Sequence, residues 1–276
     1  MNILEYSFFQ NAILGSLLAS IACGFIGTYI VSRRLVFISG GITHASFGGI
    51  GLGVYLGLNP ILTAMVYAVA SAFGVQWMSR NAAVREDSAI ALFWTFGMSV
   101  GILCSFLTPG FMPDLPSFLF GSILTISRAD LALLAAVTAV VAAVFVLFYR
   151  TILSIAFDST FARSQRLPVD AMEYLLMGLI AMTIVSTLRL VGIVLAMSLL
   201  TVPQMTANLF TYDFRRIVAA SIVIGWASCL AGLAMSYWLN VPSGAAIIFA
   251  SIVIYACLRT IKALVCKFRL RAQAGQ

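Results

Sequence analysis

Charge is what this sequence has least of. Asp, Glu, Lys and Arg make up only 9% of its 276 residues, where a water-soluble domain carries about 25%. A chain this poor in charge and 62% apolar has no means of covering its surface with polar groups. Its mean hydropathy of +1.07 places it in a lipid bilayer. The nine acidic residues all fall in loops or at the ends of apolar runs. No carboxylate stands in mid-membrane to relay protons, which argues against a proton-coupled pump. Histidine is scarcer still, with His44 alone. One histidine rules out HExxH, so an intramembrane metalloprotease lacks its usual parts, and GxxxxGK[ST] is missing, so the chain has no P-loop for ATP. If transport is active, the energy comes from another subunit. The five cysteines (Cys23, Cys104, Cys229, Cys257, Cys266) form no CxxC pair and read as small buried hydrophobes rather than redox or metal groups.

What the chain has instead is long apolar runs. Broken by polar or turn-forming residues, they predict helices near 8–31, 43–58, 60–78, 88–108, 129–149, 172–187, 190–210, 217–238 and 244–262. The first run has no basic residue before it and no small-residue cleavage site after it, so it reads as a span rather than a signal peptide. Asn59-Pro60 predicts a tight turn. The stretch 172–210 is about twice the length of one span, which predicts a break near Arg189 and Gly192. "PSFLFGSILTI", 116–126, is apolar but too short to cross, and reads as a re-entrant or interfacial piece. The expectation is an all-α polytopic membrane protein of about eight to nine transmembrane helices, forming one domain over residues 1–276.

The basic residues orient this map. With the N-terminus outside, Arg33, Arg34, Arg80, Arg85, Arg150, Arg163, Arg166, Arg215, Arg216, Arg259, Lys262, Lys267, Arg269 and Arg271 fall on the cytoplasmic side; only Arg128 and Arg189 fall outside. That asymmetry follows the positive-inside rule and predicts a cytoplasmic C-terminus. The net charge of +7 is then a topology signal and an attraction to anionic head groups, not a nucleic-acid patch.

Two segments stand out. In "GGITHASFGGIGLGVYLG", 40–57, Gly41, Ala45, Gly49, Gly53 and Gly57 recur every four residues, the small-residue stripe that lets helices approach closely in lipid. Gly40 and Gly48 flank His44 by one turn, and a break near Gly40-Gly41 is expected from the low helix propensity of glycine. An imidazole in a span faces the bundle interior or a wet path. It is either hydrogen-bonded across helices, with Thr43 and Ser46 as local partners, or a metal ligand. The longest basic excursion, "YRTILSIAFDSTFARSQRLPVDAME", 149–173, mixes Phe157, Phe161 and Leu167 with Asp158, Arg163 and Arg166. It predicts a short amphipathic helix, resting on the membrane surface or docking a cytosolic partner.

Five stretches, in order, resemble the membrane permeases of the manganese/zinc/iron ABC importer family: "SRRLVFISGGITHASFGGIGLGVYLG", "FLFGSILTISRADL", "AFDSTFARSQRLPV", "RLVGIVLAMSLLTVPQMTANLF" and "WLNVPSGAAIIF". The resemblance spans nearly the whole chain. It implies a type II-like ABC importer permease in the inner (plasma) membrane, paired with a second copy of itself. It further implies a cytosolic ABC ATPase dimer that binds the ATP, and an extracellular protein that delivers a divalent transition metal. On this resemblance the chain is a transport subunit, not an enzyme, and carries no cofactor of its own. The cargo is zinc or manganese, with iron as a further candidate. The coupling segment falls within 150–171, with Asp158, Phe161 and Ala162 on its motif. His44 falls on the family's pathway histidine, with Gly40, Gly41, Thr43 and Gly48 lining the path. Many members carry an aspartate where this chain has Gly40; losing that oxygen ligand leans the site from manganese toward zinc. A siderophore- or cobalamin-like chelate permease, or an ion-gradient secondary transporter, is the alternative. The second would need intramembrane ion ligands and an inverted repeat, and the sequence displays neither.

Overall fold

In lipid a backbone must satisfy its own hydrogen bonds, and long apolar runs do so as helices. The computed structural model describes residues 7–82, 84–108 and 126–274. Among them the elements are α1 (Ser7–Ser32), α2 (Val36–Tyr55), α3 (Pro60–Asn81), α4 (Glu86–Leu107), α5 (Arg128–Leu147), α6 (Tyr149–Phe157), α7 (Ser159–Ser164), α8 (Val169–Leu199), α9 (Val202–Ala207), α10 (Phe214–Leu239) and α11 (Ser243–Ala274), with no strand. Seven helical segments are long and apolar enough to cross a membrane: those of α1, α3, α4, α5, α10 and α11, and the Val169–Leu188 limb of α8. α2, of 20 residues, and the shorter Gly192–Ala207 piece bring the apolar segments among the described residues to nine. The apolar piece at 116–126 lies outside the described residues except for Ile126.

Local chemistry sets the ends. Asn59 caps α3, its Oδ1 accepting from the Ile61 N–H at 3.0 Å, and Pro60 occupies the first turn, where no donor is missed. Ser127 and Asp130 form a reciprocal capping box on α5. At Gly192, φ 75° and ψ 171° interrupt α8 in a region open essentially to glycine alone, as the over-long 172–210 run predicts. A second break follows at Thr201 (φ −128°, ψ −52°), before Pro203. Buried Gln204 answers it, donating Nε2 to the carbonyls of Cys23 at 2.8 Å and Leu199 at 3.2 Å.

The expected break at Gly40-Gly41 is absent: α2 begins at Val36 and runs through both glycines. Ser39, Thr43 and Ser46 each return their hydroxyl to a carbonyl one turn earlier, so no polar atom pulls the helix open. The glycines are covered by side chains of other helices, Ile90 over Gly41 and Met197 over Gly40. Tertiary packing here outweighs propensity.

α2 packs most extensively on α4, then on α3, and small residues make both contacts possible. A Cβ at Gly48 would lie 2.6 Å from the Gly97 carbonyl oxygen, and one at Gly51 2.6 Å from that of Gly101; Gly49 meets Ala64 of α3. The first limb of α8 forms the centre, with 78% of its span window buried against 22% for α4 and for α11. α4 turns Leu92, Phe96, Leu103 and Phe106 outward, an apolar surface suited to lipid. Cys23, Cys104 and Cys229 are buried as expected, whereas Cys257 is exposed because α11 lies at the periphery.

Candidate functional site

His44 lies in the first half of α2, about 12 Å along the helix from its start at Val36. Its ring stacks on Trp94 of α4, centroids 4.4 Å apart and planes within 4°, and Phe37 reaches the same indole at 5.9 Å. Stacking fixes the plane of the imidazole. Its Nδ1 is buried and has no hydrogen-bond partner. The expected local partners are otherwise engaged: Thr43 donates to Ser39 O, and Ser46 donates to Thr43 O at 2.6 Å. One turn from His44, a Cβ at Gly40 would meet Met197 of α8, 2.9 Å from Cε and 3.7 Å from Sδ. The space left by Gly40 thus holds a thioether. Gly41 abuts Ile90, Thr43 is fully buried, and Gly48 abuts Gly97, so these three sit on helix-packing contacts. Toward the far end of α2, Ile50 opens onto a cavity of about 450 Å³ shared with Pro60, Ile61 and Ala64 of α3 and Val185 and Leu188 of α8. Ile50 is about 9 Å along the helix from His44.

Among the described residues no three His, Cys, Asp or Glu side chains gather as a metal cage. The one imidazole of the chain, His44, stands at this position. The sequence GMSVG, 97–101, matches the GxSxG pattern, but it lies inside α4 with both glycines packed on α2. A nucleophile elbow needs a strand-to-helix turn, so this stretch is not one.

At the basic end of the bundle, α6 and α7 form the predicted amphipathic segment. Asp158 caps α7, its Oδ1 accepting from the Thr160 and Phe161 N–H groups at 2.9 Å each. Ala162 is fully buried, whereas Phe157 and Phe161 are 70% and 57% exposed. Two bulky apolar side chains are thus presented outward beside a small one that seats the helix.

Sequence reasoning missed what holds this segment. Glu173 of α8, 8% exposed, receives Arg33 on Oε1 at 3.0 Å and both Gln76, at 3.0 Å, and Arg80 on Oε2. Arg80 also binds Asp170, which binds Arg163 of α7 at 2.6 Å. Arg33 donates to the Ile155 carbonyl of α6 at 3.2 Å. A polar cavity of about 220 Å³ lies among Arg33, Gln76, Arg80, Glu86, Arg163 and Glu173. The available signal was Asp170 and Glu173 on one face of a span's first turn; their partners, far apart in sequence, give no local pattern. Trp94 and Met197 were missed for the same reason.

The profile of the ABC 3 transport family matches residues 5–261. An uncharacterized membrane protein of Synechocystis is 41% identical over 252 residues, covering 91% of this chain and 90% of the relative. The manganese transport system membrane protein MntC of Halalkalibacterium halodurans is 33% identical over 254 residues, covering 92% and 87%. The structure of PsaBC from Streptococcus pneumoniae in complex with Fab superimposes with a TM-score of 0.83 at 26% identity, covering 93% of this chain and 92% of the other.

Proposed function

Because this chain belongs to the ABC 3 transport family, we infer that it is the membrane-spanning subunit of an ABC importer for a divalent transition metal. It performs no covalent chemistry. With no P-loop in the sequence, ATP is bound and hydrolysed by a partner ATPase. The exposed Phe157 at the end of α6 and Phe161 on α7, a short helix seated by Ala162 and capped by Asp158, support α6–α7 as the contact for that ATPase. A second copy of this chain completes the membrane unit, and an extracellular metal-binding protein supplies the ion. The excess of arginine at the α6–α7 end supports a cytoplasmic location for that end, with the N-terminus outside and the C-terminus inside. The cavity beside Ile50 then opens toward the outside.

The observation that carries the site is His44: a buried Nδ1 without a partner, in a ring held flat by Trp94. Neutral imidazole is a good ligand for a divalent transition metal, and one ligand per protomer keeps binding weak enough for release. Gly40, Gly41, Thr43 and Gly48 belong to the path as positions where α2 slides against α4 and α8 when the site changes its exposure. ATP-driven closure of the ATPases displaces α6–α7 and reorients the spans around His44. Manganese is the cargo best supported, because MntC relatives of manganese transport systems align over 92% of the chain. Zinc is the second reading, favoured by the thioether of Met197 where a carboxylate ligand would sit. His44→Ala in the complex with its ATPase, reconstituted in vesicles, should lower metal uptake by about tenfold or more while the ATPase stays bound. Uptake at the parental rate would show that His44 only packs helices.

A further inference from the structure

We propose that Glu173 is a positioning residue that locks the coupling segment to the spans, so that removing its charge lets ATP be hydrolysed without metal being moved. The proposal rests on the reading of α6–α7 as the ATPase contact.

The bonds form a closed ring. α6 offers the Ile155 carbonyl to Arg33, at the turn after α1. Arg33 binds Oε1 of Glu173, and Oε2 of the same carboxylate takes Arg80 of α3. Arg80 continues to Asp170, and Asp170 to Arg163 of α7. Both limbs of the coupling segment therefore reach one carboxylate, one through Arg33 at the turn after α1 and the other through Arg80 of α3. A displacement of α7 cannot leave α3 or α8 behind while this ring is closed.

Stability alone does not explain such a ring. Its buried part, Glu173 with its arginines, is of a kind often no more stable than well-packed apolar residues of the same volume, and its exposed part, Asp170 with Arg163, adds little. What charged pairs add is fixed direction and spacing, because guanidinium–carboxylate bonds tolerate little misalignment. The ring also surrounds the polar cavity of about 220 Å³ rather than a filled core, and Glu86 lines the same space. It therefore has room to adopt a second arrangement, as a switching element must.

The ring's output is equally direct. Glu173 stands in the opening turns of the central α8. α8 leads through the Gly192 interruption to Met197, and Met197 fills the space at Gly40, one turn from His44. A push on α7 thus reaches α2 by way of α8, one turn from the imidazole.

The test uses the permease–ATPase complex in vesicles, with manganese chloride as the probe, and reads ATP hydrolysis and metal uptake together. Glu173→Gln keeps the shape and loses the charge; Asp170→Asn, on α8 and outside the ATPase contact, weakens the exposed link to α7. Both should retain the bound ATPase and hydrolyse ATP near the parental rate. Uptake per ATP should fall about tenfold in Glu173→Gln and by a smaller factor in Asp170→Asn. A role confined to folding would lower yield, or both rates together, and leave uptake per ATP unchanged. That ratio at the parental value, in either variant recovered folded, overturns the proposal. Failure of the parental complex itself to bind the ATPase or to import metal overturns the underlying reading, and is seen before any variant is made.

Discussion

A hydrogen bond would fix the tautomer of an imidazole, whereas a stacked indole fixes only its plane. His44 has the indole, and its buried Nδ1 lacks the bond. The neighbouring position is more constrained than its glycine implies. An aspartate introduced at Gly40 would give an i, i+4 oxygen–nitrogen pair with His44, but its Cβ would collide with the methyl of Met197. Met197 is flexible and meets that Cβ through its far end, so the clash is relieved by truncation. Gly40→Asp combined with Met197→Ala should therefore raise manganese uptake relative to zinc more than Gly40→Asp alone. Competition uptake with both ions checks this, and equal ratios in the two variants would show that Met197 does not restrict the site. The sequence singles out His44 because an imidazole is conspicuous among apolar residues. Trp94 and Met197 are not legible in it, since their approach depends on the α2–α4 and α2–α8 register.

At the scale of elements, the legible features are those set by local chemistry. The interruption near Gly192, the Asn59-Pro60 turn and the amphipathic segment at 149–173 all follow from nearby residues. The start of α2 does not, because the packing of Ile90 and Met197 on its glycines overrides their propensity. The α6–α7 segment gives the sharpest prediction at this scale. Phe161 is more than half exposed in the isolated chain, and an ATPase groove would bury it. Phe161→Asp would place an unpaired charge in that contact, costing about 2–5 kcal/mol. Co-purification of the ATPase should be lost while the permease still inserts and stays monodisperse. Full retention of the ATPase would return α6–α7 to a helix resting on the membrane surface.

For the whole molecule, charge sets orientation and the central helix sets communication. Arg33, Arg80 and Arg163 lie at the end of the bundle assigned to the cytoplasm, linked through buried Glu173 and exposed Asp170. Cysteines at positions 3 and 274, on a background without the five native ones, should be labelled at 3 and protected at 274 by an impermeant reagent in right-side-out vesicles. The opposite pattern would invert the topology and put α6–α7 out of reach of any cytosolic ATPase. The fold class is legible in the sequence because lipid demands long apolar helices; the span count is legible only approximately, with seven segments of the described residues long and apolar enough to cross against the eight to nine expected. The Glu173 ring is not, because it joins residues from two spans, the turn after α1 and the two short helices α6 and α7.

The central claim is that this chain carries a divalent transition metal across a membrane at the expense of ATP bound elsewhere. The most direct measurement is uptake of manganese and zinc, separately and in competition, by vesicles holding the purified permease–ATPase complex and its metal-binding protein. ATP on the ATPase side should drive accumulation of at least one ion against its gradient, with manganese preferred, and a non-hydrolysable analogue should not. Accumulation that persists without ATP hydrolysis, or transport of an organic chelate with neither free ion, would contradict it.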